Sequence, residues 1–238
     1  MAIVALRSSL FAAFQLLITP FFAIIALLTF PLPALTRYRI ITVWTRWVMW
    51  AARVICGIRY RVIGAEHIPH EPCVILAKHQ SAWETMAFQL IFPPQVWVLK
   101  RELLLVPFFG WGLAMLSPIA IDRSSRRKAL QQLVEQGRQR LDAGFCIVIF
   151  PEGTRVAPGR RGKYRPGGAR LAIQTGTAVL PVAHNAGRCW PRNAFLKHPG
   201  LITVSIGAPI RPAGEDAEAL ARRVEHWIED EMLQLDAR

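Results

Sequence analysis

The chain has 238 residues, 53% of them hydrophobic, and a formal net charge of +13. This length allows one domain, or one domain with an appendage, and the charge calls for an anionic partner: nucleic acid, acidic lipid, a phosphorylated substrate or an acidic carrier protein. Mean hydropathy is +0.28, high for a freely soluble enzyme, and the four cysteines (Cys56, Cys73, Cys146, Cys189) stand far apart without a Cys-x-x-Cys, which excludes a disulfide framework and a cysteine zinc site.

Leu10–Leu32 is almost wholly apolar, interrupted by Gln15, Thr19, Thr29, Pro20 and Pro31. As a helix it would run about 35 Å, enough for a bilayer core of about 30 Å. It is too long for a signal h-region and no small-x-small cleavage site follows, so it reads as an uncleaved anchor. A second helix is predicted from about Tyr38 to Cys56, with Arg39, Arg46 and Arg53 on one face and Trp44, Trp47 and Trp50 as an aromatic band nearby. Arginines beside tryptophans describe a helix in the headgroup plane. Residues 1–56 are thus expected to form a membrane anchor with an interfacial helix, as a single span or as a hairpin dipped into one leaflet; the sequence leaves both open. Basic residues are denser after the apolar run (Arg37, Arg39, Arg46) than before it (Arg7), and no acidic residue precedes Glu66. That asymmetry puts the remainder on the cytoplasmic side of the inner membrane.

Residues 57–238 have a globular texture. Strands are predicted at Ile58–Ile63, Cys73–Ala77, Val96–Leu99, Pro118–Ile121, Phe145–Phe150, Ala178–Ala183 and Leu201–Ile206. Helices are predicted from Ser81 through Leu90, over Ser125–Leu141 with Gly144 as its cap, from Gly167 to Gln174, and over Ala217–Leu235, with a short helix or loop at Pro107–Gly112. Strands alternating with helices give an α/β fold whose sheet is mixed and largely parallel, flanked by helices.

Two strand ends carry the chemistry. The apolar run Cys73–Ala77 stops at Lys78-His79, and Glu84 follows five positions after His79, across a strand-to-helix turn. Polar groups at that place line clefts in α/β proteins. A neutral imidazole can take a proton from an attacking hydroxyl while a carboxylate on its far nitrogen fixes the tautomer. Ser81-x-x-Glu84 also fits a capping box, in which Glu84 serves only a backbone amide. These residues alone do not choose between the two. The run Ile147–Phe150 leads into Pro151-Glu-Gly-Thr-Arg155, which should open at the same sheet edge. Gly153 allows close backbone approach, Thr154 offers a hydroxyl, and the Arg155 fork matches phosphate oxygens. Lys100 could add a point charge, while Glu152, awkward beside a phosphate, is expected to point away and brace the arginine or the loop. Between Gly153 and Gly214 there is no acidic residue, and ten lysines and arginines read as uncompensated. Such a face suits anionic membrane lipids, each surface cation contributing on the order of 1 kcal/mol. The anchor argues against nucleic acid, and the glycines match no nucleic-acid module.

Taken together, His79-x4-acid, then Lys100-x-Glu102-Leu103 with Pro107-Phe108-x-Gly110, then Phe150-Pro-Glu-Gly-Thr-Arg155, then Leu180-Pro181-Val182 resemble the four ordered motifs of the glycerolipid acyltransferases, most closely the bacterial 1-acyl-sn-glycerol-3-phosphate acyltransferases. The likeness spans about Gly57 to Gly207. It implies transfer of an acyl group from acyl-carrier protein or acyl-CoA to the sn-2 hydroxyl of lysophosphatidic acid, giving phosphatidic acid in phospholipid synthesis. It implies His79 as the base, Glu84 as its orienting acid, and Gly153, Thr154 and Arg155 holding the glycerol phosphate, with Glu152 shaping that loop and Lys100 as a second contact. The family's first motif usually ends in aspartate; Glu84 is one methylene longer. No Gly-x-Ser-x-Gly elbow and no dinucleotide glycine pattern is present. His67, His70 and His184 read as structural rather than as metal ligands, and no cofactor is expected, since the thioester supplies the driving force. Two rivals stay open: the same chemistry on another lysolipid, of the lyso-ornithine type, and a non-catalytic protein that binds anionic lipid.

Overall fold

A computed structural model describes residues 1–106, 109–122 and 126–237. Pro107, Phe108 and Ser125 of the segments named above lie outside the described residues. The helices are α1 (Ala2–Leu28), α2 (Ala34–Ile41), α3 (Val43–Val54), α4 (Trp83–Ile91), α5 (Phe109–Met115), α6 (Arg126–Asp142), α7 (Gly167–Thr175) and α8 (Ala217–Ala237). The strands are β1 (Ile58–Ile63), β2 (Val74–Ala77), β3 (Gln95–Lys100), β4 (Ile119–Ile121), β5 (Cys146–Ile149), β6 (Val179–His184) and β7 (Gly200–Ile206).

The strands form one seven-stranded sheet in the order β1-β7-β6-β2-β5-β3-β4. Every pairing is parallel except β6 with β7. The expected mixed, largely parallel α/β sheet is therefore present. β2 lies near its middle, with all four residues buried, flanked by β5 and β6. That explains why it reads as a continuous apolar run rather than an alternating one. Helix α7 approaches β2 closely: a Cβ on Gly168 would lie 2.5 Å from Leu76 Cδ2. α6 ends as its glycine predicts, with Gly144 at φ +85° and its amide bonded to the Leu141 carbonyl.

The N-terminal helices differ from expectation in one respect. The second helix is two helices, starting at Ala34 and broken at Thr42. The Thr42 hydroxyl donates to the Tyr38 carbonyl and the Thr45 hydroxyl to the Thr42 carbonyl, so side chains compete with the helical ladder at that point. Arg39 therefore lies on α2, while Arg46 and Arg53 lie on α3. The long apolar helix α1 packs one stripe along the globular part. Phe11 is edge-on to Trp190 at 5.3 Å, the Lys197 amide donates to Ser8 Oγ, and Ala23 and Ala26 are buried near its far end. Its other face carries exposed Leu10, Leu17, Phe21, Ile24 and Leu28. Phe11, Val48 and Ala52 belong to the same hydrophobic core as the sheet.

Candidate active site

Because β2, β3, β5 and β6 run parallel, their C-terminal ends share an edge. Lys78 and His79 follow β2, Lys100 ends β3, Phe150–Arg155 follows β5, and His184 ends β6. His79, Lys100, Gly153, Thr154 and Arg155 line one cavity of about 1210 Å³. The imidazole and the guanidinium thus face a common space.

His79 is held from three directions. Its Nδ1 lies 2.9 Å from Glu84 Oε1. The same oxygen accepts the amides of Gln80 at 2.9 Å and Ser81 at 2.7 Å, while Ser81 Oγ accepts the Trp83 amide at 3.0 Å. The capping box and the orienting carboxylate are therefore one arrangement, and the longer glutamate reaches. An oxygen already accepting two amides can only accept from Nδ1, so the proton sits there and Nε2 keeps its lone pair. The ring stacks on Phe150 with centroids 3.9 Å apart and planes at 11°. The main chain is gripped by the loop after β5: the His79 amide donates to Glu152 Oε2 at 3.0 Å and the His79 carbonyl accepts the Val156 amide at 2.8 Å.

Behind the ring the environment is dry. Burial alone would raise the Glu84 carboxyl, but His184, the hydrogen bond from His79 and the Ser81 amide together hold it below its ordinary range. Burial likewise pushes His184 down, against the pull of Glu84. His184 Nε2 donates to the Lys78 carbonyl at 2.8 Å and its Nδ1 accepts the Ala186 amide, which is the neutral tautomer in a bracing role. His67, through Nδ1 and the Ile206 carbonyl, is also a structural contact. Among the described residues no three histidines, cysteines or acids cluster as a metal site.

Replacing Glu84 with glutamine separates its two duties. The amide oxygen of Glu84→Gln can still accept from Gln80 and Ser81, so the turn should hold and the melting temperature should move little. The charge that stabilises an imidazolium is lost, which at about 1.5–3 kcal/mol for a charge-assisted bond corresponds to a fall in kcat of roughly 10–150-fold. Steady-state kinetics alongside a thermal melt checks both halves.

Glu152 does not line the cavity. It is buried and accepts from Lys78 Nζ at 2.9 Å and from the Gly162 amide at 3.2 Å, both on Oε1. It braces the loop from behind, while Gly153, at φ +68°, Thr154 and Arg155 turn to the cavity side. Arg155 lines the cavity, and its Nε is buried without a hydrogen-bond partner. Lys163, Arg165, Arg170 and Arg192 line the same cavity. Its deeper walls are apolar, among them Phe22, Trp97, Leu116, Leu133 and Ile149.

The acid-free stretch is less bare than its sequence suggests. Helix α8 folds back on it, pairing Arg161 with Glu225, Arg170 with Glu218 and Arg188 with Asp236. Compensation from 48 to 64 positions downstream leaves no local pattern. Three further contributors were not singled out from the sequence: Lys78, Phe150 and Glu229. An apolar strand ending in a lysine gives no sign that the lysine is buried, and Glu229 reads as the polar edge of an amphipathic helix.

The comparisons with known proteins agree with this geometry. The family model described as Acyltransferase matches residues 59–185. A 1-acyl-sn-glycerol-3-phosphate acyltransferase of Pseudomonas aeruginosa is 50% identical over 208 residues, covering 86% of this chain and 81% of that protein. A mouse 1-acyl-sn-glycerol-3-phosphate acyltransferase alpha is 29% identical over 182 residues, 74% of this chain and 64% of that one. The crystal structure of the 1-acyl-sn-glycerophosphate acyltransferase of Thermotoga maritima shares the fold, with a TM-score of 0.79 at 23% identity over 99% of this chain and 95% of that one.

Proposed function

Since the chain belongs to the acyltransferase family, we propose that it moves an acyl group from a thioester, carried by acyl-carrier protein or coenzyme A, onto the sn-2 hydroxyl of 1-acyl-glycerol-3-phosphate. The observation that carries this reading is a single cavity that joins the free Nε2 face of His79 to the Arg155 loop and to an apolar interior. Nε2 takes the hydroxyl proton as the oxygen attacks the thioester carbonyl. Glu84 stabilises the imidazolium, the thiolate leaves, and the proton passes to it. Gly153, Thr154, Arg155 and Lys100 hold the phosphate. No cofactor is required, because the thioester supplies the driving force. The exposed apolar face of α1, with Trp47 and Trp50 also exposed, supports attachment to a membrane. Because α1 lies along the domain from Ser8 to Ala26, we read it as embedded in one leaflet, on the cytoplasmic side of the inner membrane.

The test is an acceptor screen with purified protein and a labelled acyl thioester. Lysophosphatidic acid should be acylated and a phosphate-free lysolipid, such as a lyso-ornithine lipid, should not. Arg155→Ala should raise the KM for lysophosphatidic acid about 10–150-fold, the loss of a charge-assisted contact of about 1.5–3 kcal/mol, with a smaller change in kcat. An indifferent KM would remove Arg155 from the phosphate site.

A further inference from the structure

Beneath His79 lies a buried polar chain that reaches the C-terminal helix. Lys78 is 1% exposed. Its three ammonium protons have three partners: Glu152 Oε1 at 2.9 Å, Glu229 Oε1 at 2.8 Å and the Arg160 carbonyl at 3.2 Å. Glu229 Oε1 also accepts the Tyr164 hydroxyl at 2.8 Å. At the other end, Glu152 Oε2 accepts the His79 amide at 3.0 Å. One ammonium thus joins the helix α8 carboxylate to the carboxylate that fixes the backbone of the proposed base. Lys78, Glu152 and Glu229 lie far apart in sequence, so the chain exists only in the folded molecule.

We infer that Glu229 is a positioning residue for acyl transfer: through Lys78 and Glu152 it sets the main chain of His79, and thereby the direction of Nε2. The inference rests on His79 being the base. Glu229 does not itself line the cavity; of its partners only Tyr164 does, and it reaches His79 through Lys78. Without its charge, Lys78 keeps Glu152 and one carbonyl but loses the anchor that holds it in place from α8. Glu152 then shares a looser partner, and the His79 amide loses its fixed acceptor. A tilt of the ring of under an ångström misaligns proton transfer, while the Gly153 turn, closed by its own amide bond to the Phe150 carbonyl, still binds the acceptor.

Glu229→Gln keeps volume and an acceptor oxygen. The expected result is a fall in kcat of about tenfold or more with KM for lysophosphatidic acid within about twofold, together with faster deuterium exchange of the His79 amide and unchanged exchange in β2. The Lys78→Met and Glu229→Gln effects on kcat should also be strongly non-additive, since either breaks the same chain. A helix contact with only a structural role would lower the melting temperature and the active fraction but leave kcat per folded molecule and the His79 amide as in the wild type; that result overturns the inference. If Glu229→Gln yields no folded protein, Tyr164→Phe removes the hydroxyl on Glu229; because Tyr164 also lines the cavity, the deciding readout is the His79 amide, which should exchange faster, and unchanged exchange overturns the inference. A wild-type protein that fails to acylate lysophosphatidic acid would sink the proposed function, whereas the exchange comparison judges the positioning role separately.

Discussion

His79→Ala should lower kcat by about 10²–10⁴-fold, the range that a positioned general base contributes, while leaving the protein on the membrane. The substitution removes the ring and nothing else of the local scaffold. The His79 amide and carbonyl bonds to Glu152 and Val156 are main-chain bonds and persist. Glu84 keeps the Gln80 and Ser81 amides, so the turn into α4 persists as well. What disappears is the stack on Phe150 and the lone pair of Nε2. KM for the acceptor should change little, because the proposed phosphate contacts belong to the loop after β5. The two measurements are turnover of a labelled acyl thioester and co-sedimentation with vesicles of anionic lipid. Unchanged turnover would favour a lipid-binding protein without catalysis; lost turnover together with lost vesicle binding would point to misfolding rather than to a missing base.

Much of this site is legible from residue order alone, for a definite physical reason. A parallel sheet buries its strands on both faces, so they read as apolar runs, and the first polar residue after each run marks the shared C-terminal edge. His79 and Glu152–Arg155 are found by that rule. The turn that returns Glu84 to His79 is short enough to be governed by local geometry. Phe150 stacked on His79 is a different matter: as the last apolar residue before Pro151 it reads as strand, and only the pairing of β2 beside β5 makes it a neighbour of the imidazole. The break at Thr42 depends on two hydroxyls choosing backbone carbonyls, which helical periodicity does not register. Pairing between α8 and the basic stretch is set by packing, as when Trp227 fills the space over Gly207, where a Cβ would lie 2.6 Å from its ring. A linear reading therefore finds the residues that face the cavity more readily than those that hold them from behind.

Lys78→Met should be the most destabilising of these substitutions. It deletes one cation that lies between two carboxylates, Glu152 with its side chain fully buried and Glu229 at 17% exposure. Methionine fits the volume of the lysine stem but offers no donor. Breaking a buried pair from one side leaves an uncompensated charge, at a cost of about 3–5 kcal/mol. For a chain of this size, that corresponds to a fall in melting temperature of roughly 6–20 °C. The double variant Lys78→Met with Glu229→Gln should melt above Lys78→Met alone, because one of the two stranded carboxylates becomes a neutral amide. Thermal unfolding of wild type and the three variants in one detergent measures this. If the double variant melts lower than Lys78→Met, and by the sum of the single effects, Lys78 and Glu229 are independent of each other, and the polar chain beneath His79 is not one unit.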